Sequence, residues 1–469
     1  MTERKAIPTL PDPLEDYAAQ FDDLWVKAAQ RESFRTYLQG LLLPRDRNKT
    51  LTALAGARPI EDAQHSRVQK LQYFLSESPW DGEATNARRL ALLLADPSTA
   101  PHQEGVLIID DSGDRKSGTK TDHVARQYLG SVGKIDNGIV AVSSLWADPR
   151  LYFPLHALPY TPAGRLPGGR KDPNFQTKPQ LGLELVTAAG QARVPFRAVV
   201  ADNFYGDSFT FQAGLGEAGL PYVLALRPNT GTWAPMEAAH TPKEAAEDLD
   251  WGGPEAPGEW QPVVRRFRDG HEEAWWAAEL RLTGYGPDQR VRLVVATTDP
   301  ATLPEGTTWY LITNLPRPGS VRVTYSPFKP ADLGEVVRLY GLRIWVEQSY
   351  KQVKQELGWA DFMVRSDRAI RRHWILVFCA FCFCWQAWFD SRAGAAPEPQ
   401  RGEKPEGQAS ILAGNPPSSP QLADSLDLAL ALVASLVASA PAGGVQGVIE
   451  LGRGWLSLQP LSPVLTKYC

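Results

Sequence analysis

Residues 340–354 of this chain read "YGLRIWVEQSYKQVK", and their spacing is typical of an amphipathic helix. Five polar side chains recur at steps of three and four residues: Tyr340, Arg343, Glu347, Lys351 and Lys354. At roughly 100° of turn per residue, one helix places these five within about 80° on a single face. Charged residues at this spacing are common on solvated helices, where each pair contributes only a few tenths of a kcal/mol. These five residues are called the polar stripe. Whether the polar stripe has a further role depends on the acidic residues that other segments place beside it.

Composition indicates an ordinary globular protein rather than a membrane or disulfide-stabilised one. The 469 residues suffice for about two to four domains, and 43% hydrophobic with 22% charged residues is an average balance. The net charge of −4 does not by itself indicate a nucleic-acid partner. The start of the chain has no apolar signal segment, and the apolar run near residue 380 is shorter than the roughly 20 residues that span a bilayer. We therefore predict a cytoplasmic protein with no membrane partner.

Three of the four cysteines lie close together in "WILVFCAFCFCWQAW", at Cys379, Cys382 and Cys384. A zinc site normally places such pairs on turns, with a second pair elsewhere. These cysteines instead interrupt an apolar run, where Cys behaves as a small hydrophobic residue. We predict that they belong to a core helix.

Changes in composition and in the predicted secondary structure divide the chain into five parts. Residues 1–100 carry amphipathic helical runs and are expected to form a DNA-binding domain, with "PRDRNKT" at 44–50 as a basic contact, or else a plain helical bundle. Strand and helix patterns in 101–227 follow the order β-β-β-α-β-α-β, which predicts an α/β domain with a mixed sheet. Short predicted strands separated by Gly and Pro, "PVVRRFR", "VRLVVATT", "TWYLITNL" and "SVRVTYS", indicate a β-rich insertion at 228–328. Helices return at 329–392, and 393–469 is predicted to be a flexible linker followed by a helix near 422–440.

Three acids stand where a metal site could form. Two predicted buried strands, "GVLIID" and "FRAVVAD", end in Asp110 and Asp202, and Glu347 lies on the polar stripe. Ligands gather at the carboxyl ends of strands in α/β sheets, and clustered carboxylates repel one another unless hard cations hold them. Two Mg²⁺ ions, or Mn²⁺ in their place, could activate an attacking oxygen and stabilise a leaving one at a phosphodiester. Each Asp taken alone is more simply explained as a helix cap.

The spacing Tyr340-x2-Arg343-x3-Glu347-x6-Lys354 resembles the Tyr-Arg-Glu-Lys signature of DDE transposases from bacterial insertion sequences. The segments "IIDDSGDRKSGTKTDHVARQYLGSVGKIDNGIVAVS" and "VVADNFYGD" resemble the branch named after insertion sequence 701. The resemblance implies an α/β, RNase H-like catalytic core with a β insertion before the glutamate helix. It implies that Asp110, Asp202 and Glu347 bind the metal ions as the catalytic residues. It also implies that Tyr340, Arg343 and Lys354 contact DNA near the cleaved phosphate.

One of these assignments leaves an alternative open. Asp111 adjoins Asp110, and neighbouring residues of a strand point to opposite faces. Asp110 is favoured because the resembling group usually shows Asp-x-Ser/Thr, which Asp110-Asp111-Ser112 matches. A tryptophan of the insertion, such as Trp309, could receive a flipped base. The polar loop after the first strand, with Lys116, Lys120, His123 and Arg126, is expected near DNA or simply in solvent: both readings fit.

The resemblance implies a cut-and-paste transposase that acts on double-stranded DNA, at its own terminal inverted repeats and at a target. Two ends must be joined, so we expect a homodimer on paired ends, associated with the nucleoid when bound to DNA. The alternatives are an inactive end-binding descendant and a metal-dependent nuclease without strand transfer. A phosphate-binding loop at "GDRKSGTKT" is rejected because its lysine stands one position late.

Overall fold

The computed structural model describes residues 10–393, apart from 233, 236–237 and 267–270, together with residues 431 and 433. The predicted linker at 393–420 lies outside these residues almost entirely, as does all but two residues of the predicted C-terminal helix. The helices before residue 100 are α1 (Asp12–Ala19), α2 (Ala28–Leu42), α3 (Leu51–Leu54), α4 (Ser66–Ser76) and α5 (Gly82–Ala95). Asp81 caps α5 by accepting hydrogen bonds from the amides of Glu83 and Ala84, which satisfies donors left free at a helix start.

The first half of the α/β region follows the predicted order with one additional strand and one additional short helix. Its elements are β1 (Val106–Arg115), β2 (Ala125–Leu129), β3 (Lys134–Ala147), β4 (Tyr152–Tyr160), α6 (Lys178–Gln191), β5 (Ala198–Ala201), α7 (Asn203–Gly206), α8 (Phe209–Glu217) and β6 (Tyr222–Leu226). Strand β4 was not predicted because Pro154 and Pro159 interrupt its pattern. It pairs with β3, and such a position beside a single neighbour is where a sheet tolerates proline.

The second half contains α9 (Pro242–Glu247), β7 (Gln261–Arg266), β8 (Glu272–Leu280), β9 (Arg292–Thr297), β10 (Thr308–Thr313), α10 (Leu333–Gly341), α11 (Ile344–Gln355) and α12 (Asp367–Ala393). The sequence did not predict β8, and its prediction of a strand at "SVRVTYS" was wrong. Residues Val321–Thr324 form a 3₁₀ helix instead. Val321 is 76% exposed, so the alternation of apolar residues there serves no buried face.

All the strands of the described residues belong to one mixed sheet. Its order is β2-β3-β1-β5-β6-β10-β9-β8-β7, with β4 paired to β3. Strands β1 and β3 are antiparallel, whereas β1, β5 and β6 run parallel. This arrangement confirms the predicted α/β class and the RNase H-like core.

The β-rich segment continues this sheet instead of forming a separate one. Strand β10 pairs antiparallel with β6, with Tyr310 opposite Leu226, and β9, β8 and β7 follow outward. The limits predicted for the insertion, 228–328, stay a prediction because the strands show no break from the core.

Strand β1 does not end at Asp110, contrary to the prediction. It continues to Arg115 because β3 accompanies it along its whole length. Its other neighbour, β5, pairs with it only as far as Ile109, opposite Ala201. Asp110 is therefore the first residue of β1 beyond the end of β5, and a polar side chain is acceptable there although the strand continues.

Helix α12 forms the centre of the packing between the N-terminal helices and the sheet. The Tyr17 hydroxyl donates to the carbonyl of Cys379 at 3.1 Å, and the Trp385 indole donates to the carbonyl of Tyr152 at 2.7 Å. Arg372 donates to the carbonyl of Leu75 at 2.9 Å, which joins α12 to the end of α4. Helix α12 is thus hydrogen-bonded to α1, α4 and β4.

The cysteines of α12 are core residues, as predicted. Cys379, Cys382 and Cys384 are free thiols and fully or almost fully buried. Burial raises the pKa of Cys379 to about 12, so the thiol stays protonated and unreactive. Residues Asp367–Ser391 are long and apolar enough to cross a membrane by composition, yet 78% of the most apolar window is buried inside the protein. The apolar character of this helix is explained by packing.

Candidate active site at the edge of the central sheet

Two aspartates meet where β1 and β5 part. Asp202 directly follows β5 and caps the short helix α7, accepting from the amides of Phe204 at 3.1 Å and Tyr205 at 3.4 Å. Asp110 follows Ile109, whose partner on β5 is Ala201. Because the two strands are parallel, the residues that come next on each emerge side by side. The two acids thus lie at one edge of the sheet, as the sequence predicted, and Asp202 also makes the capping contacts of the simpler explanation.

The polar stripe does not lie on one continuous helix, contrary to the prediction. Helix α10 ends at Gly341 and α11 begins at Ile344. Between them, the amide of Arg343 donates to the carbonyl of Tyr340 and the amide of Val346 donates to that of Arg343, three residues back in both cases. Such tight bonds and the low helix propensity of glycine explain the break. Tyr340 thus precedes the break, while Glu347 and Lys354 follow it.

Arg343, at this break, is the centre of the site. Its Nη2 lies 3.5 Å from Asp110 Oδ2 and 3.9 Å from Asp202 Oδ2. Its Nη1 lies 3.2 Å from Glu347 Oε1. One guanidinium therefore contacts all three acids named by the sequence, and these acids come from β1, the end of β5 and α11.

Burial makes the electrostatics of this cluster unusual. Asp110 is 8% exposed, and burial raises its pKa to about 7, helped by Asp202 and Asp111 and opposed by Arg343. Burial also raises the pKa of Asp202. Burial lowers the pKa of Arg343, but the nearby negative charges, Asp110 first among them, outweigh it and raise that pKa above its ordinary value. Asp110 and Asp202 are therefore harder to ionise than free carboxyl groups, even with Arg343 beside them.

These acids suit a hard cation by their chemistry, although the guanidinium lies between them. In the described part of the chain, no group of three or more Asp, Glu, His or Cys side chains is arranged as a ready metal site. The two terminal nitrogens of Arg343 nevertheless lie within 4 Å of one carboxylate oxygen each of Asp110, Asp202 and Glu347, so the three acids surround one cationic group. Carboxylate oxygens are the ligands that Mg²⁺ and Mn²⁺ prefer. The chemistry of the three donors therefore suits a divalent cation, while their placement is that of an ion-paired cluster around Arg343.

Asp111 has different partners from Asp110. Its Oδ2 lies 2.7 Å from the ammonium of Lys178, and its Oδ1 accepts from the Tyr205 hydroxyl at 3.4 Å. Asp111 is near enough to raise the pKa of Asp202, but both of its oxygens are engaged. The geometry groups Asp110, rather than Asp111, with Asp202 and Glu347.

The other residues of the stripe have separate surroundings. The ammonium of Lys354 lies 2.6 Å from Ser112 Oγ and 2.7 Å from Asp114 Oδ1, so it is fastened to β1. Tyr340 packs edge-on against Trp309, with ring centroids 4.9 Å apart. Burial raises the pKa of Tyr340 to about 12, against the lowering effect of Arg343. Lys351 is exposed. Only part of the stripe is solvated, and the rest faces the sheet.

Comparison with known proteins identifies the family of this chain. The family model described as "DDE superfamily endonuclease" matches residues 16–277, and that described as "Transposase DDE domain" matches residues 179–383. The chain is 34% identical over 360 residues to the "Probable transposase for insertion sequence element IS701" of Microchaete diplosiphon, across 76% of this chain and 83% of that protein. The chain belongs to the DDE transposase family. It is therefore an enzyme that acts on DNA, of a superfamily that uses divalent metal ions.

Several cations that the sequence offered as DNA contacts are used inside this transposase. Lys116 donates to the carbonyls of Ala360 and Phe362 at 2.6 and 3.0 Å. His123 bonds Asp367 at 2.8 Å. Lys120 and Arg126, from the same loop and the strand that follows, are exposed. Of the four residues that the sequence offered as DNA contacts here, Lys120 and Arg126 therefore remain exposed to solvent.

The basic segment at 44–50 is also tied to the protein. Arg45 donates to the carbonyls of Lys354 and Gln355, the latter at 2.7 Å. The ammonium of Lys49 is buried and donates to the carbonyls of Leu41 and Leu43 at the end of α2. These cations satisfy helix ends, so the interpretation of this segment as a DNA contact is not supported by its geometry.

Lys178 and Tyr205, the partners of Asp111 beside the site, were not predicted from the sequence. Lys178 opens α6, and its contact with Asp111 spans 67 residues. No spacing rule connects positions so far apart. A lysine directly after the Thr177 cap is a visible feature, but it carries no information about which acid it will meet.

Trp309 is close to the site, but its ring is packed against neighbouring side chains. Arg265 lies over its ring at 4.4 Å, and the ring of Trp275 is 4.6 Å away. Together with Tyr340, these neighbours hold Trp309 in a packed cluster. A base could stack on it only after Arg265 has moved.

Proposed function

We propose that this transposase cuts DNA at the terminal inverted repeats of its own element and joins the ends to target DNA. The observation that carries the proposal is the convergence of Asp110, Asp202 and Glu347 on the guanidinium of Arg343. These three acids come from separate elements of a core that belongs to the DDE family.

Asp110, Asp202 and Glu347 would hold the metal, as two Mg²⁺ ions or Mn²⁺ in their place. When bound, these ions supply activation of the attacking oxygen and stabilisation of the leaving oxygen in phosphodiester chemistry. The protein contributes the arrangement of its carboxylates. The Asp202 side chain is oriented by two amides of α7, and Asp110 is fixed by the pairing of β1 with β3.

Tyr340, Arg343 and Lys354 would contact DNA near the cleaved phosphate. Arginine suits this role because its planar group binds phosphate oxygens in pairs. Lys354 would require release from Ser112 and Asp114 to reach DNA, or would act by holding β1 in place. Residues 1–100 would form a DNA-binding domain in addition, and a homodimer would pair the two ends. The protein would work in the bacterial cytoplasm, on the nucleoid when bound to DNA.

A strand-specific cleavage assay tests the proposal. The substrate is a duplex carrying the repeats that flank this gene, with each strand labelled separately, and the cofactor is Mg²⁺. Wild type should release a 3′ hydroxyl at the element end, and a hairpin product would show attack on the opposite strand. Asp110→Asn, Asp202→Asn and Glu347→Gln should each reduce cleavage by at least about 10³-fold, since each removes an anionic ligand.

Other outcomes identify the alternative functions. A wild-type protein that binds the repeats without cutting them would be an inactive end-binding descendant. A protein that cuts the repeats but never joins them to a target would be a metal-dependent nuclease. Full activity of the Glu347→Gln variant would contradict the assignment of the three acids.

A further inference from the structure

Arg343 is the cation that forms ion pairs with all three acids. Its Nη2 lies 3.5 Å from Asp110 and 3.9 Å from Asp202, and its Nη1 lies 3.2 Å from Glu347. Carboxylates brought this close repel one another unless a positive charge lies between them. The guanidinium therefore interacts with the same three carboxylates that would hold a divalent cation in the proposed function.

The same side chain has an unused hydrogen-bond donor. The Nε of Arg343 is buried, and among the residues that the structure describes it has no acceptor. A buried N–H without an acceptor is destabilising. A guanidinium presents its N–H groups in one plane, a geometry that matches phosphate oxygens. The site thus leaves Arg343 incompletely satisfied by its own carboxylates.

The backbone at Arg343 also differs from a regular helix. Arg343 lies between α10 and α11, where hydrogen bonds reach back three residues instead of four. Short stretches of this kind often mark hinges within helices. Arg343 therefore projects from a break and not from the body of a helix.

A metal ion and the guanidinium cannot share these carboxylates without cost. Both are positive, and like charges within about 4 Å repel each other, most strongly beside the buried carboxylate of Asp110. Any group that draws Arg343 away leaves the acids free for the metal. An anion that carries phosphate oxygens is such a group.

We propose that Arg343 is a positioning residue that makes the binding of a DNA end and of divalent metal cooperative. In the DNA-free protein it neutralises the three acids and weakens metal binding. When a phosphate of the element end takes the guanidinium, the acids become available to the metal. This inference rests on the proposed function, and by linkage the metal strengthens end binding by the same factor.

Titration of Mn²⁺ onto the full chain without DNA tests the first half of the inference. The fraction of free Mn²⁺ is read by electron paramagnetic resonance, so no catalytic activity is needed. Arg343→Gln should bind Mn²⁺ about 5- to 150-fold more tightly than wild type, the usual range for a coupling between sites. Arg338→Gln is the matched control. Its guanidinium reaches the carbonyl of Glu104 at 3.4 Å, and its Mn²⁺ affinity should equal that of wild type.

A second substitution keeps the test decisive if Arg343→Gln does not fold. Arg343→Lys keeps one positive charge, but an ammonium cannot contact three carboxylates in the way that the guanidinium does. It should tighten Mn²⁺ binding in the same direction and by a smaller factor. Thermal melting of each variant checks that it is folded.

The affinity of the end duplex, measured with and without Ca²⁺, tests the second half. Fluorescence anisotropy reports binding, and Ca²⁺ replaces the metal without supporting cleavage. Wild type should bind the repeat duplex more tightly with Ca²⁺, while Arg343→Gln should lose most of this increase. A duplex of scrambled sequence gives the non-specific effect of Ca²⁺, which is subtracted.

Two results would overturn the inference in different ways. If wild type and Arg343→Gln bind Mn²⁺ equally and Asp110→Asn abolishes binding in both, the coupling is wrong although the metal assignment stands. If Asp110→Asn added to Arg343→Gln leaves Mn²⁺ binding unchanged, the metal assignment itself is wrong. The coupling then fails with it.

Discussion

Asp110 and Asp111 are adjacent in the chain, but they have different partners. Asp110 meets the guanidinium of Arg343, while Asp111 is held by Lys178 and Tyr205. The sequence could indicate both acids and the alternation of a strand. It could not indicate Lys178, because that contact depends on how α6 packs across the sheet. The sequence therefore identifies candidate site residues, but it does not identify the side chains that they contact.

Exchange of Asp111 for asparagine should separate stability from catalysis. Asp111→Asn removes the charge that pairs with Lys178, and both side chains are largely buried. We expect a loss of about 1–3 kcal/mol in the free energy of unfolding. Cleavage should stay within about tenfold of wild type, since a residue that only positions its neighbours contributes less than a metal ligand. Denaturant unfolding and the cleavage assay measure the two quantities. Loss of cleavage as complete as in Asp110→Asn would make Asp111 the ligand.

His373 should make stability depend on pH. It is fully buried, with Nδ1 bonded to the Tyr37 hydroxyl at 2.7 Å and Nε2 to the Gly358 carbonyl at 3.1 Å. Burial, assisted by Lys116, lowers its pKa from 6.5 to about 4. Between these pH values the unfolded chain binds a proton that the folded protein does not. Acidification through this window therefore lowers the free energy of unfolding.

His373→Gln should remove this pH dependence. On going from pH 7 to pH 5, wild type should lose about 2 kcal/mol more of its free energy of unfolding than the variant. Urea unfolding of both proteins at the two pH values gives the difference. An equal loss in both would show that His373 does not titrate in this way.

The elements that form the site were predicted better than their ends. Both acid-bearing strands, their membership of one mixed sheet and the helix of Glu347 follow from the sequence pattern, while the parallel pairing of β1 with β5 comes from the structure. The break at Gly341 and the continuation of β1 past Asp110 did not, because hydrogen bonds with β3 and within the turn decide them. Strand β4 was missed because its prolines are acceptable only beside a single partner. Tertiary pairing sets these boundaries.

Helix α7, which orients Asp202, depends on a close approach to β6. A β-carbon placed on Gly206 would lie 1.7 Å from the carbonyl oxygen of Ala225. Gly206→Ala should therefore push α7 away and lower the free energy of unfolding by about 1–3 kcal/mol or more. Cleavage should fall with it because Asp202 caps this helix.

Gly190→Ala is the matched control for this change. Nothing lies within 4 Å of a β-carbon at Gly190, which belongs to α6. Alanine is the better helix former, so stability should stay equal or rise by about 0.5–1 kcal/mol. If both variants unfolded at the same denaturant concentration, the close packing of α7 against β6 would be wrong.

At the scale of the whole molecule, the sequence predicted the α/β core and the helices before it, but not how continuous they are. The strands of 228–328 extend the core sheet, and α12 joins the N-terminal helices to β4. Composition and turn signals show where the chain changes to short strands. They cannot say whether the new strands pair with the old ones, since that depends on which sheet edge remains open.

Assembly with DNA should involve two chains. If strand transfer joins two element ends, light scattering of the protein with the repeat duplex should give the mass of two chains and two duplexes. The protein with a scrambled duplex should not form this species. A stable complex of one chain with one duplex that still transfers strands would contradict the proposed homodimer.

The most direct test of the proposed metal site is anomalous diffraction from Mn²⁺ in crystals of the wild-type protein with a pre-cleaved end duplex. We predict anomalous density between the carboxylates of Asp110, Asp202 and Glu347, with the Arg343 guanidinium moved onto a phosphate of the duplex. Density on Asp111, or Mn²⁺ bound away from these three acids, would contradict it.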